Sequence, residues 1–161
     1  MAFSQWVKAT ISGEVEISGN TSDSYGGGIY VEWTPGTRPV DWVNLTITDS
    51  VRVTDNTAGT GGGGLYVAAT LVEVTGSAVI SGNTANIGGG VQMSSVTTGP
   101  TPHGATLNVN GDAQITGNTA NNSAPSGGGV WADFNDDTLT AVAGSITGNT
   151  PDQCAGGTIS C

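Results

Sequence analysis

One motif recurs along this chain and constrains its fold more than any other feature. It has an aliphatic residue three positions before an Asn-Thr pair and a glycine triplet a few residues later, as in Ile-Ser-Gly-Asn-Thr at 80–84 and Gly-Gly-Gly-Val at 88–91. The repeated asparagines, which lie 27 to 36 residues apart, are Asn20, Asn56, Asn83, Asn118 and Asn149. A chain with such a period folds as stacked units, each of which contacts mainly its neighbours.

Apolar residues alternate with polar ones on the N-terminal side of each repeated asparagine. Before Asn83, for example, they fall at Val72, Val74, Ala78 and Ile80. A period of two is typical of half-buried strands and not of helices. Similar short runs follow each glycine triplet, so each unit has three strands, and no hairpin signal joins them. The pattern predicts an all-β parallel β-helix of about five three-strand coils.

The domain is predicted to be single and to span 1–161, with an incomplete first coil or N-terminal cap at 1–11 and a C-terminal coil at 150–161. In the last copy Leu139 and Ala141 are displaced by one position, which predicts a one-residue deletion before Ala143. The degraded triplet at 156–157 predicts a final strand at 158–160.

The repeated residues have different expected places in each coil. The asparagines are expected at a corner, where each amide bonds to the coil above, because an unpaired buried amide costs about 1–3 kcal/mol. The glycines are expected at the next corner, where side chains would crowd. The strands after the triplets put one row outward, formed by Tyr30, Tyr66, Gln92 and Trp131.

The charge and the cysteines of the chain limit which partners and which cellular compartment are expected. The chain has 3 Lys and Arg against 13 Asp and Glu, which argues against nucleic acid and against anionic membrane surfaces. We expect no membrane insertion, because no apolar run is long enough, and the residues at 1–6 lack the cationic start and apolar stretch of a signal peptide. Cys154 and Cys161 favour a disulfide that closes the last coil, and hence a secreted or cell-surface protein whose signal is absent from this sequence. Two free thiols or half of a metal site are the alternatives.

The loops that follow the strands after the glycine triplets contain the remaining candidate residues for a binding or metal site. Trp33 and Trp42, with His103 from a later loop, would form a shallow aromatic groove; alternatively, the tryptophans fold their loop onto the coil. No cofactor is expected, although the loop with Asp133, Asp136 and Asp137 is a weak candidate for Ca²⁺.

The alternation of Gly-Gly-Gly-Val/Ile/Leu with Ile-x-x-Asn resembles the repeat of the chlamydial polymorphic outer membrane proteins, which carry Gly-Gly-Ala-Ile and Phe-x-x-Asn. It is also similar to bacterial secreted proteins with Ile-Thr-Gly-Asn-Thr repeats, some of which end in Asn-Thr-Pro-Asp-x-Cys, as at 149–154 here. The resemblance covers residues 9–161. It implies a right-handed, pectate-lyase-like parallel β-helix and a surface adhesin.

Four functions remain open from the sequence. The first is a non-enzymatic module of a larger surface protein that binds a glycan or protein through Tyr30, Tyr66, Trp131, Trp33 and Trp42. The second is a structural unit that stacks end to end with its own copies. A polysaccharide-active enzyme is the third, although the carboxylate pair of a glycosidase has no clear counterpart. An ice-binding face is the fourth, since rows of Ser and Thr recur with each coil.

Overall fold

The structure is a computed structural model that describes residues 6–33, 42–96 and 103–161, without the side chains of Trp6 and Trp42. Within these ranges the chain forms nineteen short strands, β1 to β19, and no helix. The described part of the chain therefore contains no helix with the length and apolarity that a bilayer crossing requires.

The strands form four sheets, numbered here in the order in which the chain first enters them. The first sheet consists of β1 (Trp6–Ile11), β5 (Trp42–Ile47), β9 (Leu71–Val74), β13 (Thr106–Val109) and β17 (Thr138–Ala141). The second sheet consists of β2 (Glu16–Ser18), β6 (Arg52–Thr54), β10 (Val79–Ser81), β14 (Gln114–Thr116) and β18 (Ile146–Thr147).

The other two sheets lie on either side of the glycine corner. The third sheet consists of β3 (Thr21–Ser22), β7 (Thr57–Ala58), β11 (Thr84–Ala85) and β15 (Thr119–Ala120). The fourth sheet consists of β4 (Ile29–Glu32), β8 (Leu65–Ala68), β12 (Val91–Ser94), β16 (Val130–Ala132) and β19 (Cys154–Ala155).

The first, second and fourth sheets take one strand from each of five successive coils, the third sheet takes one from each of the first four, and all the strand pairs are parallel. This confirms the predicted parallel β-helix of about five coils. The structure adds the two-residue strands of the third sheet, so each of the first four coils has four strands where three were expected. The one-residue deletion is also confirmed, because Leu107 pairs with Leu139 in the first sheet and Ile115 with Ile146 in the second, which leaves one residue fewer between the last pair of strands.

The last coil corrects the predicted final strand. Cys154 pairs with Val130 and Ala155 with Trp131, so the strand of the fourth sheet is β19 and residues 158–160 form none. The turn at 151–153 is shorter than the earlier corners, and it brings the chain into the sheet before the degraded triplet. The disulfide between Cys154 and Cys161 is present, as predicted.

The interior consists of aliphatic columns that run through the coils. Ile47, Leu65, Ile80, Leu107 and Ile115 are each 0% exposed. Their side chains alternate with outward ones along each strand, so every coil removes apolar surface from water by packing on the coils above and below it. The columns hold the four sheets in a fixed arrangement.

The repeated asparagines bond to one another along the corner between the second and third sheets. Asn83 Oδ1 accepts from the backbone N and the Nδ2 of Asn56, both at 3.0 Å, and Asn83 Nδ2 donates to Val53 O and Asn118 Oδ1, both at 2.9 Å. The same pattern joins Asn20 to Asn56 and Asn118 to Asn149. The four amides that are buried, those of Asn56, Asn83, Asn118 and Asn149, thereby have hydrogen-bond partners, as burial requires.

Gln153 ends this series in the last coil. Its Oε1 accepts from the backbone N of Asn149 at 3.0 Å and from Asn149 Nδ2 at 2.9 Å. Its Nε2 donates to Asn149 O at 3.2 Å. Gln153 therefore takes the place of a further asparagine.

The glycine triplets have no room for side chains. In the third coil Gly88 has φ +57°, a conformation that side chains disfavour. A Cβ on Gly90 would lie 2.6 Å from the carbonyl oxygen of Gly129 and 2.9 Å from Asn118 Nδ2. The triplets thus let the backbones of neighbouring coils approach at the corner, and they fix where the fourth sheet begins.

Candidate binding face on the fourth sheet

The outward row predicted from the sequence is a column of the fourth sheet. Tyr30 pairs with Tyr66, Tyr66 with Gln92, and Gln92 with Trp131. The residues two positions further along each strand, Glu32, Ala68 and Ser94, form the next column on the same side of the sheet, in which Glu32 is exposed and the other two are buried. The parallel register therefore places aromatic and acidic side chains side by side on one surface.

Three tyrosines form a cluster on this surface, which we call the tyrosine face: Tyr25, Tyr30 and Tyr66, with the carboxylate of Glu32. The Tyr66 ring contacts both of the others, with ring centroids 4.7 Å from Tyr25 and 5.0 Å from Tyr30. Tyr30 is 52% exposed and Tyr25 is 36% exposed. Large parts of two rings therefore remain open to a partner.

At each end of the outward column, a carboxylate accepts a hydrogen bond from an aromatic side chain. The Tyr30 hydroxyl donates to Glu32 Oε2 at 2.6 Å. At the other end, Trp131 Nε1 donates to Asp133 Oδ1 at 2.6 Å, and Gln92 Nε2 donates to Asp133 Oδ2 at 2.9 Å. These bonds hold the rings by their polar edges and leave negative charge beside them.

Gln92 is buried although its strand position faces outward. It is 2% exposed, and its Oε1 occupies the place that a Cβ on Gly61 would take. Gly61 also pairs with Tyr25. Because it is a glycine, it has no side chain that could separate the rings of Tyr25 and Tyr66. The glycine thus accounts both for the buried Gln92 and for the contact between the tyrosines.

The negative surroundings change how the phenols ionise. The hydrogen bond to Glu32, burial and nearby negative charge together raise the pKa of Tyr30 to about 12. Burial is the main cause that raises the pKa of Tyr66. In both cases the surroundings disfavour a further negative charge on the ring oxygen.

The predicted groove residues are only partly brought together. Trp33 is half-buried and meets His103 edge to face, with ring centroids 4.9 Å apart. These residues come from loops of the first and third coils, so they meet beside residues 69–70, the two-residue loop of the second coil. Trp42 lies in the first sheet, and its side chain lies outside the described residues. The structure therefore gives a Trp33–His103 contact and leaves the rest of the predicted groove undescribed.

The acidic loop directs its carboxylates to different partners. Asp133 bonds to Trp131 and Gln92, Asp136 accepts from Ser95 Oγ at 2.6 Å, and Asp137 accepts from the backbone N of Ala105 at 2.8 Å. Burial raises the pKa of Asp137. Among the described residues, no group of three or more His, Cys, Asp or Glu side chains is arranged to hold a metal ion. The carboxylates join the loop to its neighbouring strands.

Sequence reasoning missed two members of the tyrosine face, Tyr25 and Glu32. Tyr25 lies outside the strands, and its ring reaches Tyr66 only because of the stacking of coils. One signal was available: Tyr25 stands next to the Gly26 corner, and all 3 tyrosines of the chain belong to the first two coils. Glu32 lies two positions after Tyr30, which is the spacing of side chains on the same face of a strand.

The family model for the Chlamydia polymorphic membrane protein repeat matches residues 14–32. This segment runs from β2 past Asn20 and the first glycine triplet to the end of β4, and it includes Tyr25, Tyr30 and Glu32. No curated protein matches the chain, and no solved structure matches it. The chain is therefore a parallel β-helix repeat protein that carries a repeat similar to one from a bacterial surface-protein family, the chlamydial polymorphic membrane proteins.

Proposed function

We propose that the chain is a non-enzymatic binding module, secreted or displayed at a cell surface, whose tyrosine face adheres to another surface. The observation that carries the proposal is the contact of three tyrosine rings on the tyrosine face, with Tyr30 52% exposed. Tyr and Trp are enriched at protein interfaces because they offer large apolar area with a polar edge. The rest of the fold serves to hold this face rigid.

Two further observations support a binding role over catalysis. Asp133 accepts from the side chains of Gln92 and Trp131 in the fourth sheet, and Asp137 accepts from the backbone N of Ala105 and Phe134, which is a structural use. His103 contacts Trp33 and joins Val96 through backbone hydrogen bonds. Binding of a partner over aromatic rings requires no catalytic residue in this chain. Similarity to a repeat of bacterial membrane proteins supports display at a surface.

Replacement of Tyr25 and Tyr30 together by alanine tests the proposal. Both rings are partly exposed and outside the aliphatic core, so the double variant should remain folded. We expect wild-type protein to bind members of a glycan and protein array, and the double variant to bind them at least about tenfold more weakly, as for loss of an aromatic hot spot.

The matched control is Val7→Ala, which removes an apolar side chain that is 53% exposed on the first sheet. It should bind like the wild type. Circular dichroism verifies that both variants are folded. No binding by wild-type protein to any array member, or equal binding by the double variant, would refute the proposal.

A further inference from the structure

We propose that the tyrosine face receives a guanidinium group, so that its partner is an arginine-bearing segment of a basic protein. The inference rests on the proposed function, and it specifies the chemistry of the partner. It is carried by the cluster of three rings, one of which donates a hydrogen bond to the carboxylate of Glu32.

The rings offer π faces that a planar cation can cover, because Tyr30 is 52% exposed and Tyr25 is 36% exposed. Tyr30 and Tyr66 are stacked with an interplanar angle of 19°, and Tyr25 closes the cluster at 39° to Tyr66. A cation above such rings is attracted by the negative face of their quadrupole. The Tyr30 hydroxyl donates to Glu32, and a phenol that donates to a carboxylate has a more electron-rich ring.

Glu32 provides the second half of a guanidinium site. Its carboxylate lies at the edge of the Tyr30 ring, where it can accept hydrogen bonds from a cation that stacks on that ring. Arginine combines both contacts, because its guanidinium is planar, stacks on aromatic rings and pairs with carboxylates through two N–H groups. A lysine ammonium has no plane to stack, so it fits less well.

Charge discriminates against the other classes of ligand. The strands of the fourth sheet contain no Lys or Arg, while Glu32 and Asp133 lie on the same surface. Acidic glycans would be repelled by these carboxylates. Neutral sugars can stack on tyrosine, but they gain nothing from the negative charge that surrounds the rings. A basic protein segment uses both features.

The test uses the full chain labelled with 3-fluorotyrosine. All 3 tyrosines of the chain belong to the tyrosine face, so each fluorine signal reports on this site. The probes are an acetylated tetra-arginine amide and its tetra-citrulline analogue, which has nearly the same shape without charge. A cello-oligosaccharide serves as the neutral sugar. Titrations are followed by ¹⁹F NMR at physiological ionic strength.

We expect the arginine peptide to shift the fluorine signals in a saturable manner, and the citrulline analogue to bind at least about tenfold more weakly. Glu32→Gln should weaken arginine binding several-fold. Glu73→Gln, which removes an exposed carboxylate from the first sheet, is the matched control and should bind like the wild type.

Three results would overturn the inference: no shift with arginine, equal binding of citrulline, or equal weakening by the two Glu→Gln variants. The third would mean that the peptide responds only to net charge. Shifts with the cello-oligosaccharide but not with arginine would keep the tyrosine face as a binding site and replace the partner by a neutral glycan. If neither probe binds, and if the wild-type protein also binds no member of the glycan and protein array, the proposed function itself fails.

Discussion

Replacement of Asn83 by alanine is expected to lower the free energy of unfolding by about 3–5 kcal/mol. Asn83 is 0% exposed and makes four hydrogen bonds along the asparagine column. Its loss leaves two donors of Asn56 and the acceptor Val53 O without their partner, and each unsatisfied buried group costs about 1–3 kcal/mol. Asn118 Oδ1 loses one of its two donors and keeps the backbone N of residue 83. Chemical denaturation followed by circular dichroism measures the change.

Asn86→Ala is the control for this prediction. Asn86 is exposed and donates from Nδ2 to Gly59 O at 2.6 Å, so its loss should cost about 1 kcal/mol or less, since water can replace it. Asn83→Asp gives a further check. Aspartate keeps the acceptors for Asn56 but cannot donate to Val53 and Asn118 when ionised, so it should also destabilise strongly. Equal stability of the Asn83 and Asn86 variants would contradict a structural role for the asparagine column.

Replacement of Gly63 by alanine is expected to cost about 3 kcal/mol or more. A Cβ at this position would lie 2.6 Å from Thr84 O and would also meet Gly89 O, both backbone atoms of the next coil. Neither atom can move without disturbing the corner, because Gly63 N donates to Gly88 O at 3.1 Å in the same stack. Thermal or chemical unfolding of the variant measures the effect.

Gly117→Ala separates this steric effect from backbone strain. Gly117 has φ +64° but open space around its Cβ position, so alanine should cost only the left-handed backbone penalty of about 1–2 kcal/mol. The variant at Gly63 should therefore be the less stable of the two. The reverse order would mean that the coils can separate at the glycine corner without loss.

Much of the coil could be predicted because its determinants recur in each copy. The period-two pattern indicated the aliphatic columns, and the asparagines and glycines marked two corners. The third sheet was missed because strands such as Thr84–Ala85 are too short to show alternation. The final strand was misplaced because Gly156 and Gly157 resemble a triplet, whereas the register places Cys154 beside Val130.

The binding face could be predicted only in part, for a different reason. Tyr30 and Tyr66 occupy equivalent positions in their repeats, so the outward column was visible in the sequence. Tyr25 joins them through ring contacts between coils, and Gln92 is buried because Gly61 leaves space for its carboxamide. Such contacts depend on how unlike residues meet when coils stack, and a repeat pattern does not specify them.

The central claim is that the tyrosines form one packed face beside negative charge, and the ionisation of Tyr30 tests it most directly. The chain is labelled with [¹³Cζ]tyrosine, its NMR signals are followed as the pH is raised, and Tyr30→Phe assigns the signal. The structure predicts that Tyr30 titrates with a pKa of about 12, and that Glu32→Gln lowers this pKa because it removes the nearby carboxylate. If Tyr30 ionised near pH 10, as an isolated tyrosine does, and Glu32→Gln had no effect, the claim would be wrong.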